Sequence, residues 1–146
     1  MIHNGEAILF TGKSGAGKTT QALLWQRFRC AQLVNGDRAA LRFENGELYA
    51  FAVPFCGSSD VVMNRKAKIR AIAALAQNER NIITQPGVSK AFQLILSGIS
   101  YEPRNARESK NAVDLALSVA STQLVYTMAC RKDESSVCAL EKFLKV

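Results

Sequence analysis

The chain has 146 residues, with 19 Lys and Arg against 12 Asp and Glu for a formal net charge of +7, and 48% of it is apolar. That is enough for one globular domain with one core and argues against disorder. No apolar run approaches the roughly 20 residues needed to span a bilayer, and no basic segment leads into an apolar one at the start. We therefore expect a cytoplasmic protein with no membrane partner. The four cysteines, Cys30, Cys56, Cys130 and Cys138, are scattered without a C-x-x-C pair, and the chain has one histidine. That pattern fits reduced structural thiols better than a zinc site.

In chain order, residues 6–11 form a short apolar run that reads as a buried parallel strand. Residues 12–20 follow directly and satisfy the phosphate-loop pattern G-x-x-x-x-G-K-[ST] at Gly12, Gly17, Lys18 and Thr19. Residues 20–29 carry Ala22, Leu23, Trp25 and Phe28 at helical spacing. A strand, a glycine-rich turn and a helix in this order form a phosphate cradle. Backbone N–H groups of Ser14, Gly15, Ala16, Gly17, Lys18, Thr19 and Thr20 would wrap phosphate oxygens at the positive end of the helix dipole. Lys18 would reach the β and γ phosphates, and the Thr19 hydroxyl would bind Mg²⁺. Trp25, inside the helix, reads as core rather than as a base-stacking residue.

Residues 31–34 read as a short strand, followed by Asn35, Gly36, Asp37 and Arg38. A carboxylate there suits Mg²⁺, a hard cation that takes oxygen ligands. It also suits a general base toward a hydroxyl acceptor, or simply a turn. Residues 39–43 and 47–53 alternate around Asn45 and Gly46, a hairpin signal. Residues 54–59 form a loop containing Cys56, which nothing activates. Arg65 is expected in a loop returning to the mouth of the site, where it would stabilise the transferring phosphoryl group or stay solvated. Arg38 would pair with Asp37 or contact phosphate.

Residues 69–75 read as a strand and 88–96 as a helix with Ala91, Phe92, Ile95 and Leu96 on its apolar face. Residues 106–120 read as an amphipathic helix with Val113, Leu117 and Ala120 inward. Residues 123–128 read as a strand, and Asp133 as the start of a last helix reaching about residue 144. The basic residues gather loosely around 65–70 and 104–110. Neither group is interleaved with aromatics along the sequence, so nucleic acid is not the expected partner.

Four stretches taken together, 10–20, 33–38, 53–57 and 124–144, resemble the carboxykinase-like branch of P-loop proteins. That branch includes the catalytic domain of HPr kinase/phosphorylase and phosphoenolpyruvate carboxykinase. The resemblance implies a single α/β P-loop nucleotide-binding domain with a mixed sheet over residues 1–146. It also implies an ATP- (or GTP-) and Mg²⁺-dependent phosphotransferase. Lys18, Asp37 and Arg65 would carry the chemistry, and Thr19 and Asp37 would hold metal. The acceptor is open and includes a protein or peptide hydroxyl, and an oligomer is left open. HPr kinases carry two adjacent aspartates in the second motif, whereas this chain has Asp37 between Gly36 and Arg38. The competing reading is a nucleotide-binding regulatory or accessory protein without efficient phosphoryl transfer.

Overall fold

The computed structural model describes residues 1–34, 38–53 and 65–146. In order these form β1 (Ile2–His3), β2 (Glu6–Thr11), α1 (Lys18–Arg29), β3 (Ala39–Glu44) and β4 (Glu47–Ala52). There follow β5 (Lys66–Gln77), β6 (Ile82–Thr84), α2 (Val88–Leu96), α3 (Ala106–Ser121), β7 (Val125–Cys130) and α4 (Glu134–Leu144). The result is an α/β fold on a mixed sheet. β5 is its spine: it pairs parallel with β2 on one side and with β7 on the other, and antiparallel with β4 near its start. β1 and β6 add short antiparallel edges to β2 and β7.

The middle of the central strand, residues 71–75, is built of buried small and branched residues, as a strand covered on both faces requires. Its side chains change faces partway along. Ala7 opposes Ile69 but Ile8 opposes Ala71, so Arg70 is an extra residue on the β5 side, a bulge. Ala67 and Ile69 therefore pack on the same side as Ile72, beside Ala91, Ala116 and Val119 of α2 and α3. Ala71, Ala73 and Leu75 pack on the other side with Trp25, Val137 and Leu140 of α1 and α4. Trp25 is fully buried there.

The hairpin forms as the turn residues dictate. β3 and β4 pair from Ala39↔Ala52 to Glu44↔Glu47, and Asn45 and Gly46 take φ of 51° and 81° between them. The expected strand at 31–34 reduces to one bridge, Gln32 to Ile2, because its neighbour β1 is only two residues long. Of the inward residues expected on α3, Ala120 is buried, and the other two positions are off by one. Val113 and Leu117 are about half exposed, while Ala112, Ala116, Val119 and Ala120 face inward. The alanines let α3 approach closely, which apolarity alone does not reveal. Leu23 is likewise half exposed on α1, and Gln21 takes the buried place. β1 and β6, too short to show a period, were not anticipated.

The basic group at 65–70 largely neutralises itself. Lys66 pairs with Glu44, Lys68 with Glu47 at 2.9 Å, and Arg70 with Glu6 at 3.9 Å. Folding also interleaves it with aromatics across strands: Lys66 Nζ lies 4.4 Å from the Tyr49 ring centre, and the Arg42 guanidinium lies 5.6 Å from that of Phe51. The linear sequence hides this neighbourhood. Among the described residues no helix is long and apolar enough to cross a membrane.

Candidate functional site

β2 delivers the chain to its carboxyl end at Thr11, where it turns through residues 12–17 and enters α1 at Lys18. Glycine is needed at the start of this turn. Gly12 has φ of 139°, and a Cβ there would lie 2.9 Å from the Leu75 carbonyl oxygen of β5. At the other end Gly17 caps α1 in the left-handed region, φ 103°, with no side chain closing the helix end and no acidic residue in its first turn. The first-turn N–H groups are thus left for an anion.

Lys18 folds back over this turn and donates to Gly12 O at 3.0 Å and Lys13 O at 3.1 Å. Gln77, the last residue of β5, donates from Nε2 to Gly15 O at 2.6 Å. The N–H of Ala16 is turned onto Lys13 O at 3.1 Å. Among the described residues the hydroxyls of Ser14, Thr19 and Thr20 make no hydrogen bond, and Thr19 is exposed. Residues 14–20 therefore lie together on one largely exposed turn and the first turn of α1.

Arg65 does not join them. It precedes β5, and its Nη1 donates to Gln32 Oε1 at 2.7 Å. Gln32 bridges Ile2, which pairs with Ala7 at the opening of β2. Gly12 is five residues further along, about 16 Å of extended chain. The expected return to the mouth of the site fails because β5 runs from Arg65 toward the loop, not away from it. Asp37 and Cys56 lie outside the described residues. Among the described residues no three His, Cys, Asp or Glu side chains gather as a metal cluster.

Beside the loop, an open cleft of about 750 Å³ lies at the carboxyl ends of β5 and β7. Gln77, Asn78, Glu79 and Arg80 at the end of β5 and Cys130, Arg131, Lys132 and Asp133 at the adjacent end of β7 line it. Ligands of open α/β sheets bind at such edges. Arg131 is committed to Asp133, 2.7 Å away. Hydrogen bonds from the Ser135 side chain and from Arg131 hold the Asp133 carboxyl below its usual range. Asp133 also caps α4 through the Ser135 N–H at 3.0 Å. Burial pushes the Cys130 thiol up, against a hydrogen bond from Gln21, so it is no nucleophile at neutral pH.

Gln21 ties the loop helix to this cleft. Its Nε2 donates to Ser136 Oγ at 2.8 Å and to Arg131 O at 3.1 Å. Sequence reading missed Gln21, Gln77, Arg80, Arg131 and Lys132. The available signal was the strand-end position of Gln77 and Arg131, which becomes meaningful once β5 and β7 are known to run parallel to β2.

No protein-family model matches this chain, and no curated protein does. Among solved structures the chain is similar to the Hpr(Ser) kinase/phosphatase from Coxiella burnetii, at 16% identity over 84% of this chain and 86% of that one, with a TM-score of 0.43. That is a distant structural relationship.

Proposed function

We propose that the chain is a P-loop phosphotransferase of carboxykinase-like type that uses ATP or GTP with Mg²⁺. The observation that supports this reading is the loop itself. A complete motif lies between a parallel strand and an uncapped helix, with Lys18 turned over the cradle. On nucleotide binding, Lys18 would leave the carbonyls of Gly12 and Lys13 for the β and γ phosphates. The backbone N–H groups of residues 14–20 would hold the remaining oxygens. The unbonded, exposed Thr19 hydroxyl fits a Mg²⁺ ligand, with phosphate oxygens and Asp37 completing the set. Mg²⁺ bound there would neutralise charge building between the β and γ phosphates. Catalysis would then rest on positioning and charge stabilisation.

Two substitutions test this. Calorimetry with Mg-ATP and Mg-GTP should show binding to the wild type and a severe loss in Lys18→Ala. Absence of binding at millimolar nucleotide, about −4 kcal/mol, would sink the proposal. Asp37→Asn should leave the melting temperature of the free protein unchanged and remove most of the Mg²⁺ dependence of ATP affinity. Unchanged Mg²⁺ dependence would take Asp37 out of the metal site.

The placement of Arg65 at the far end of β2 favours a second reading, a nucleotide-binding regulator without efficient transfer. Incubation with γ-labelled ATP and candidate hydroxyl acceptors separates the two. Binding without any label transfer supports the regulator.

A further inference from the structure

We infer that the cleft at the carboxyl ends of β5 and β7 is the phosphoryl-acceptor subsite. It would take a small hydroxyl compound bearing an anionic group, phosphate or carboxylate, rather than a protein. The inference rests on the phosphotransferase reading and supplies the substrate class that reading leaves open.

Three observations carry it. The first is position. Lys18 Nζ rests at Gly12 O and Lys13 O, and the side chain that would leave them for the β and γ phosphates keeps those phosphates within its reach of this loop. The loop touches β5 at its start and its middle: Gly12 lies against the Leu75 carbonyl, and Gln77 holds Gly15 O. Gln77 is also in the wall of the cleft. The cleft thus opens beside the transferable phosphate.

The second observation is charge. Arg131 and Asp133 neutralise one another. Among the described residues Arg80 and Lys132 have no side-chain hydrogen bond or ion pair, and neither does Glu79. Two uncommitted cations, one after each strand, against one uncommitted carboxylate leave the cleft positive. A guanidinium and an ammonium are the groups that grip phosphate or carboxylate.

The third is size. About 750 Å³ falls within the range of small-molecule clefts. In the transfer, the acceptor's hydroxyl oxygen forms a bond to the γ phosphorus as the bond to the β–γ bridging oxygen breaks. The electron pair leaves with the nucleoside diphosphate, and the hydroxyl proton passes to water.

The test is amide NMR titration of the full chain with inorganic phosphate and, in a separate arm, malonate. Each is added after saturation with a non-hydrolysable Mg-ATP analogue, so that the loop is filled. At least one anion should shift the amides of residues 78–80 and 131–133. Arg80→Ala with Lys132→Ala should weaken that binding tenfold or more while leaving affinity for the ATP analogue within twofold. The arm that binds tells phosphate from carboxylate. If neither anion shifts the cleft, or the double variant binds as well as the wild type, the inference fails. It also fails if adenosine alone shifts the cleft amides and the anions do not, since the cleft is then a nucleoside subsite. If the analogue does not bind, the nucleotide reading fails instead. The cleft is then read by the same anion titrations in Lys18→Ala, whose loop no longer competes for the anion.

Discussion

Replacing Gln21 by Leu should destabilise the protein by about 2 kcal/mol. Gln21 is 2% exposed and stands one turn into α1, three residues past Lys18. The Ser136 hydroxyl donates to Asp133 O at 2.6 Å, so its oxygen is free to accept from Gln21 Nε2. The second amide hydrogen goes to Arg131 O at 3.1 Å. Leucine nearly keeps the volume and removes both donors. Ser136 retains its bond to Asp133 and loses little. The Arg131 carbonyl, part-buried, loses a partner, a loss of about 1–3 kcal/mol for one unsatisfied group. For a chain of this size that corresponds to a fall in Tm of roughly 4–8 °C. Urea unfolding followed by circular dichroism should show the midpoint falling with an unchanged slope. Gln26→Leu, on the exposed side of the same helix, is the control and should stay within about 0.5 kcal/mol. A Gln21→Leu protein as stable as the wild type would refute the reasoning, because it would mean that water replaces the amide at no cost.

Two further outcomes follow from the same geometry. Gly12→Ala should abolish Mg-ATP binding in calorimetry, since its Cβ meets the rigid Leu75 carbonyl at 2.9 Å and the loop must shift; retained affinity would show that the turn tolerates a side chain. Arg29 donates to both oxygens of Glu141 at 2.7 Å and holds that carboxyl below its usual value. The stabilisation is therefore present in full above the unfolded-state pKa of about 4.3 and is lost as pH falls through the lower folded value. Wild type should exceed Glu141→Gln in stability at pH 7, with the two converging in acid; parallel melting curves from pH 7 to 3 check this, and a constant gap would contradict it.

The strand, turn and helix over residues 6–29 were legible because their signals are local. Turn glycines, Lys18 and Thr19 lie within nine residues, and the flanking strand and helix announce themselves by their own periods. The Asn45–Gly46 hairpin was legible for the same reason. Arg65 was misplaced because its position depends on the direction of β5 relative to β2, a long-range pairing that no local pattern encodes. The α3 face was read one position off because hydrophobicity ranks Val113 and Leu117 above Ala112 and Ala116. Close packing against α2 and the sheet rewards the smaller side chains instead. Gln21 was passed over because burial of a polar residue makes sense only when its partners, more than a hundred residues away, are in place.

The resting state of Lys18 bears on how its removal should be interpreted. In the free protein the ammonium is already bonded to two carbonyls of the loop it serves. Those bonds tie residues 12–18 into a curved shape, so on the proposed reading part of the ordering cost would be met before a phosphate arrives. On the proposed reading, binding would exchange two carbonyl acceptors for phosphate oxygens that carry full charge. The gain per bond is the difference between a charge-assisted bond to a neutral acceptor and one to an anion, not the whole strength of the latter. Gln77 adds a second restraint at Gly15, and it does so from β5, outside the motif. The loop's shape therefore belongs to the sheet as much as to its own glycines.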